Sequence, residues 1–402
     1  MSAAARERSE SGAALILRLM PIAAAVFVCF FIIGMAMPVL PVYVHDCLGM
    51  GTFIVGLIAG SQFTASLISR FWAGRFADAR GAKRAMVIGL VTAAFSGLIY
   101  LVSLRIAGAV TWSTVVLLLG RGVLGAAESF VITGALSWGL AIGGPDNSGT
   151  VMAWLGMPMY AAFAAGAPAG SSLYATNGFG AIAWATVLAP LVALMAIGAR
   201  RGVRPARATP PSLKSVAGAV VAPGMGLALS SIGFGAITIF TALMFNQRGW
   251  SGAWIAVSAL SIAFILARVL FGHLPDRLGG TRVAVMSAVI EAVGLILIWA
   301  ASSPSLVFAG AALTGLGYSL VYPAFGVEAV RRAPPQSGGL VMGAYTACLD
   351  LGLGIGGPLL GLVAARWSLS ATFLASSIIV LGAIFVAMQL MARNRMQRGM
   401  TA

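Results

Sequence analysis

The chain has only 10 acidic residues, and three of them, Glu128, Glu291 and Asp350, lie inside long apolar runs together with the base Arg121. Moving a charge to the middle of a bilayer costs about 2.5–3.5 kcal/mol on insertion scales, so such residues face a partner, a water-filled cavity or a proton path. The chemistry they offer is proton uptake and release. Arg121 and Glu128 are two helical turns apart, so they share one helix face at a separation of about 10 Å along the axis. That is too far for direct pairing and near enough to line one cleft. Asp350 sits in a glycine-rich stretch that lets another backbone approach closely. Its reading stays open between a proton site and a buried hydrogen-bonding anchor. Glu291 has no basic neighbour in sequence and reads as a helix-packing or subunit contact.

The remaining acids sit at the ends of apolar runs or in hydrophilic segments. Glu7, Glu10 and Asp146 are of the second kind, and Asp46 adjoins His45 in a polar cluster at a helix end. Asp78 and Asp276 stand among arginines near helix termini, where a carboxylate can form charge-assisted bonds in one conformation and release them in another. Glu328, followed by Arg331 and Arg332, extends this network. Such groups suit gating, not substrate contact. Arg70 and Arg268, at the inner ends of their helices, are within reach of snorkelling to the interface.

What must position these groups is a set of membrane-spanning helices. Hydrophobic residues make up 60% of the 402 positions and charged residues 9%, against about 25% charged in globular domains, so lipid replaces water as the main solvent. A crossing helix needs about 20 apolar residues, which leaves room for about twelve spans and no large soluble domain. Apolar runs place them near 18–43, 52–73, 84–104, 110–134, 149–172 and 179–199, then near 217–245, 252–273, 283–302, 305–329, 338–364 and 369–392. The first run is too long for a signal-peptide core. Cys29, Cys47, Cys348 and the two histidines give neither a disulfide framework nor metal-ligand spacing, so no metal and no cofactor is expected.

The charge distribution sets the topology. Arg6, Arg8, Arg18, the bases from Arg75 to Arg84, Arg277, Arg282, Arg331, Arg332 and the carboxy-terminal bases fall on one side, with a linker containing Arg200, Arg201, Arg204, Arg207 and Lys214. The opposite side holds Arg105, Arg248 and Arg366. Positive-inside logic then predicts that both termini and the linker are cytoplasmic. The net charge of +15 is topogenic and gives no reason to expect nucleic acid as a partner.

The chain also repeats itself. Arg70, Gly74, Asp78, Gly81 and Arg84 recur in constant register as Arg268, Gly272, Asp276, Gly279 and Arg282. Each copy leaves the second apolar run of its half and enters the third, which predicts parallel repeats related by an axis along the membrane normal. At these residues the sequence resembles the major facilitator superfamily, whose loop signature is Gly-x-x-x-Asp-Arg/Lys-x-Gly followed by further bases. The second copy, with Arg277, matches throughout; the first has Ala79 in place of the base, with Arg80 as its neighbour. Arg121-Gly-Val-Leu-Gly125 is similar to the family's Arg-x-x-x-Gly motif, linked in proton-coupled members to proton transfer. Gly166-Ala-Pro168-Ala-Gly170 is a degraded form of the antiporter pattern of the fifth span, and Gly352 to Gly361 carries a fuller glycine-proline pattern in the eleventh. The stretch Gly315 to Pro358 looks like the bacterial arabinose-efflux-permease-like, drug-proton-antiporter-type exporters.

The resemblance implies an all-α integral membrane fold of twelve helices in two pseudo-symmetric six-helix bundles. Its parts are a cytoplasmic tail over 1–17, a bundle over 18–199, a basic linker over 200–216, a second bundle over 217–392 and a tail over 393–402. In the family the first, fourth, seventh and tenth spans line the cavity. Asn246, Gln247, Tyr318 and Tyr322 are therefore substrate-cavity candidates, joined by Gln62 and Tyr345 from neighbouring spans. Arg121, Glu128 and Asp350 are the proton-coupling candidates. Gly74, Asp78, Arg80, Gly81, Arg84, Gly272, Asp276, Arg277, Gly279, Arg282 and Glu328 form the gating set. The expected function is proton-coupled export of a small organic compound by a monomer in a bacterial inner membrane, with proton-coupled import of a sugar or metabolite as the alternative. A receptor would need a soluble domain or long binding loop. An enzyme would need a nucleophile-base constellation, and an ATP-driven pump a phosphate loop. None of these is legible here.

Overall fold

In the computed structural model, which describes residues 3–144, 147–200, 202–203, 213–333 and 338–401, every regular element is helical. Asp146, the side chains of Glu7 and Glu10, and most of the basic linker lie outside the described residues. The elements are α1 (Ala3–Ala36), α2 (Leu40–Val42), a π-helical turn (Tyr43–Cys47), α3 (Thr52–Arg80), α4 (Ala82–Arg105), α5 (Val110–Gly143) and α6 (Ser148–Gly198). There follow α7 (Leu213–Gln247), α8 (Ala253–Phe271), α9 (Leu274–Leu278), α10 (Gly280–Trp299), α11 (Pro304–Arg331), α12 (Gly338–Arg366) and α13 (Leu369–Thr401). Helices dominate for a simple reason: hydrocarbon offers no partner to an exposed N–H or C=O, so each span must satisfy its backbone internally.

By length and composition, 11 helical segments among the described residues can cross a membrane. One of them, Thr150–Gly198, has 49 residues. At 1.5 Å per residue it would be about 74 Å long, more than twice the roughly 30 Å of a hydrocarbon core. The chain breaks it at Gly178, whose φ of 66° and ψ of −170° only a residue without a side chain adopts readily. The segment is therefore two spans, which brings the total to the twelve that the apolar runs predict. Near the other end of the chain, Pro38 and Pro41 interrupt the first span, and α2 with the π turn carries it on to Cys47.

The helices fall into two contact units. The first comprises Met1–Ala36, Ala65–Gly166 and Ser172–Ala208. Within it α4 and α5 approach at backbone distance: a Cβ on Gly89 would stand 2.8 Å from the Ala127 carbonyl oxygen, and one on Gly134 would stand 2.8 Å from that of Ala82. Where α4 turns into α5, Ser103 Oγ donates to the Ser113 carbonyl at 2.8 Å and Ser113 Oγ returns the bond to the Ser103 carbonyl at 2.9 Å. Gly166 of α6 meets α1 as closely, 2.8 Å from the Phe31 carbonyl for a built Cβ. Small residues allow this close packing in a medium where apolar burial alone gives helices no reason to associate.

The second unit comprises Met37–Thr64, Ala167–Ser171 and Thr209–Ala402. Here α10 and α11 cross at Gly294 and Gly310, and the first part of α3 lies along α12 on a seam of glycines. A Cβ on Gly56 would stand 2.1 Å from the Gly357 carbonyl oxygen, and Thr52 Oγ1 donates to the Gly361 carbonyl at 2.9 Å. The glycine-proline pattern of residues 352–361 therefore serves close approach, as its composition predicts.

Candidate proton, substrate and gating sites

α5 carries the two charges predicted to share a helix face. Arg121 and Glu128 are 4% and 7% exposed, and both belong to the first unit. The Arg121 guanidinium lies beside the Tyr100 hydroxyl of α4. Its Nε and Nη1 have no hydrogen-bond partner among the described residues. Gly120 lets the Tyr100 ring reach the α5 backbone, since a Cβ there would stand 2.8 Å from the ring. Glu128 is within electrostatic reach of Cys29 on α1. One residue thus looks to α4 and the other to α1. A buried guanidinium with open donors is costly, and it offers hydrogen bonds to whatever acceptor enters.

Asp350 on α12 belongs to the second unit and is 2% exposed. Two residues on, a Cβ on Gly352 would stand 2.3 Å from the Ala228 carbonyl oxygen of α7, so Asp350 lies at a tight helix crossing. The tyrosines predicted for the cavity form two clusters in this unit. Tyr318 stacks on Phe234 with centroids 5.7 Å apart and also meets Phe264. Tyr322 and Tyr345 pack at 5.3 Å; the Tyr345 hydroxyl donates to the Tyr322 carbonyl at 2.9 Å, and the Tyr322 hydroxyl bonds Thr346 Oγ1 at 2.9 Å. Gln62 is fully buried on α3. Asn246 and Gln247 are exposed at the end of α7, where Asn246 Nδ2 donates to Asp46 Oδ2 at 2.5 Å. Asp46 is therefore part of a polar cluster, with a partner that sequence proximity could not name.

The two repeated loops adopt one backbone conformation at their shared glycine. Gly81 has φ 102° and ψ 142°, Gly279 φ 89° and ψ 138°, and each caps the helix that follows. Gly74 is half-buried inside α3, and Gly272 is half-buried at the end of α8. Asp78, Arg80, Arg84, Asp276, Arg277 and Arg282 are exposed, and Arg80 lies over the Phe76 ring at 5.5 Å. Glu328 is buried and paired with Arg331 at 2.9 Å and Arg332 at 3.7 Å, as its position in sequence predicts. Arg268 does not reach outward to the interface. Its Nη2 donates to the Ser319 carbonyl of α11 at 2.5 Å, and the guanidinium lies over Phe264. The cause is Pro323, four residues after Ser319 in α11, which has no N–H to offer that carbonyl.

Two further groups gain their partners only in three dimensions. Glu291 is fully buried, with Oε2 accepting from Ser230 Oγ at 2.5 Å. Gly233 and Gly317 leave it room, since a Cβ on Gly233 would stand 2.6 Å from its Oε1. It packs inside its own chain, which sets aside a subunit contact. Arg248 ties together three chain segments: Nη1 donates to the Ala301 carbonyl at 2.5 Å, Nη2 to Ser370 Oγ at the start of α13 at 2.8 Å, and the guanidinium covers Trp250 at 4.7 Å.

The model of the Major Facilitator Superfamily matches residues 22–267 and 224–399. The chain belongs to the major facilitator superfamily. Among curated members it is 41% identical over 367 residues to an uncharacterised MFS-type transporter of Salmonella typhimurium, covering 91% of this chain and 94% of that one. It is 38% identical over 387 residues to the uncharacterised transporter YhhS of Escherichia coli K12, covering 96% of each. Solved structures of the same fold include the nucleoside transporter NupG, with a TM-score of 0.71, 13% identity and coverage of 92% of this chain and 99% of that one. Another is a bacterial homologue of the human lysosomal transporter Spinster, with a TM-score of 0.70, 13% identity and coverage of 94% and 96%. This major facilitator chain is a multi-pass membrane transporter for a small molecule and not an enzyme.

Proposed function

We infer that this transporter is a proton-coupled exporter of a small organic compound in a bacterial cytoplasmic membrane. The observation that carries the reading is the burial of Arg121 and Glu128 in one apolar span, at 4% and 7% exposure. Charges kept at such cost mark a substrate or proton path. Export proceeds by alternating access: the halves over 18–199 and 217–392 rock about a midplane site, with the linker over 200–216 and both termini in the cytoplasm. Protonation of Glu128 or Asp350 removes a buried charge and so changes the relative free energy of the two orientations, which any coupled switch requires. Tyr318, Tyr322, Tyr345, Gln62, Asn246 and Gln247 contribute to the cavity wall, and the repeated loops with Glu328 form the gate. The transporter works as a monomer.

Solved structures of this fold include transporters of a nucleoside and of organic anions, so the fold by itself names no solute. A panel of toxic compounds and metabolites, compared between overexpressing and deletion strains, selects the solute. Its accumulation is then measured in inverted membrane vesicles under an imposed proton gradient. Gradient-driven accumulation is expected for the wild type and is abolished in Glu128→Gln and Asp350→Asn. Accumulation indifferent to the gradient, with both variants active, overturns the coupling assignment. The degraded antiporter pattern at Gly166–Gly170 supports a second reading, proton-driven import of a sugar or metabolite. Loss of growth on a sole carbon source in the deletion strain favours import.

A further inference from the structure

At the base-rich ends of α1 and α5 the first unit holds an open cavity of about 400 Å³. Its walls are Arg18, Pro21 and Ile22 of α1, Trp138 and Ile142 of α5, and Arg200 at the start of the linker. Arg200 is held in place through its backbone: Lys83 Nζ donates to the Gly198 carbonyl at 2.8 Å and also to the Arg200 carbonyl. Lys83 thereby fastens the chain after α6 to the start of α4, leaving the Arg200 guanidinium exposed. Arg18 is exposed as well, and Trp138 is 3% exposed in the cavity wall. Next to Arg18 on α1, Leu17 is 67% exposed.

The geometry points to a binding site for the phosphate head group of an anionic phospholipid. Two guanidinium groups match a phosphate in charge and in hydrogen-bond geometry. The apolar floor of Pro21, Ile22 and Trp138 suits the glycerol region, and Leu17 gives the acyl chains a surface to follow. Basic pockets between helices at the cytoplasmic side of a membrane are suited to anionic head groups, because the surface potential adds to the local charge. A soluble organic phosphate would gain from the arginines but not from the apolar surface beside them, and this favours a lipid.

The test is native mass spectrometry of the full chain in detergent, titrated with phosphatidylglycerol, with phosphatidylcholine of the same acyl chains, and with soluble glycerol phosphate. Phosphatidylglycerol is expected to bind more tightly than phosphatidylcholine. Arg18→Ala/Arg200→Ala is expected to weaken phosphatidylglycerol binding about thirtyfold, a factor of about five for each cation near the surface. Arg105→Ala, at the base-poor end, should leave binding unchanged. Thermal unfolding in the same detergent checks that the double variant folds, and if it does not, the single variant Arg200→Gln is used and should lose about fivefold. Equal affinity for the two lipids, or a preference that survives the arginine substitutions, overturns the site. Glycerol phosphate binding as tightly as the lipid assigns the cavity to soluble anions and overturns the lipid assignment.

Discussion

The two copies of the charged loop share a sequence and part with each other in structure. Around Arg70 the helix runs on unbroken to Arg80, and the Arg70 guanidinium bonds Ser66 Oγ one turn back at 3.4 Å. Around Arg268 the helix stops at Phe271, a short helix runs from Leu274 to Leu278, and the guanidinium reaches across to α11. Pro275 accounts for the stop, because its ring clashes with the carbonyl four residues earlier, which is that of Phe271. The first copy has Ala77 in that register and no reason to break. Pro323 accounts for the reach. A motif repeated in sequence therefore retains the conformation of its glycine turn in both copies, while prolines inside and outside the motif decide what each arginine holds.

The largest effect is expected from the arginines. Arg268→Ala should cost about 2–3 kcal/mol of stability, from a charge-assisted hydrogen bond and a cation-π contact. Arg70→Ala should cost under about 1 kcal/mol. Both are read by thermal unfolding in detergent. Adding Pro323→Ala to Arg268→Ala returns a backbone N–H to the Ser319 carbonyl and should recover part of the loss. Without that recovery, Arg268 is not the proline's counterpart. Next come the glycines. Gly81→Ala and Gly279→Ala should each cost about 2 kcal/mol, because both hold a backbone conformation that side chains resist. No atom lies within 4 Å of a Cβ built on Gly279, so its cost is backbone strain alone. Clearly unequal costs for the pair would break the shared-turn comparison. The smallest effect belongs to the position where the copies differ outright. Ala79→Arg, which gives the first loop the base that Arg277 supplies in the second, should shift stability by under about 0.5 kcal/mol, since exposed charges are screened by water.

Much of the fold was legible in the residues. Apolar run lengths predicted twelve spans, although the fifth and sixth form one long helical stretch marked off only by the positive φ of Gly178. The register of Arg70 and Arg268 predicted matching loops, and Gly81 and Gly279 adopt matching angles. Burial of Arg121, Glu128 and Asp350 followed from their apolar surroundings. Partners were not legible. Ser230 and Glu291 are far apart in sequence and meet because Gly233 and Gly317 clear the space between α7, α10 and α11. Arg248 looked like one of a few bases at the base-poor end, and it joins residue 301 after α10 to residue 370 at the start of α13.

By itself the sequence determined that this chain lives in lipid, how many times it crosses, where it repeats and which rare charges it buries. Those properties follow from local quantities: the length of an apolar run, the cost of a charge within it, and the turn a glycine permits. Only the tertiary structure decided what each buried group meets. Helix crossings in a membrane depend on which small residues face each other and which carbonyls a proline has freed. Both depend on the relative rotation of distant helices, about which spacing along the chain carries no information.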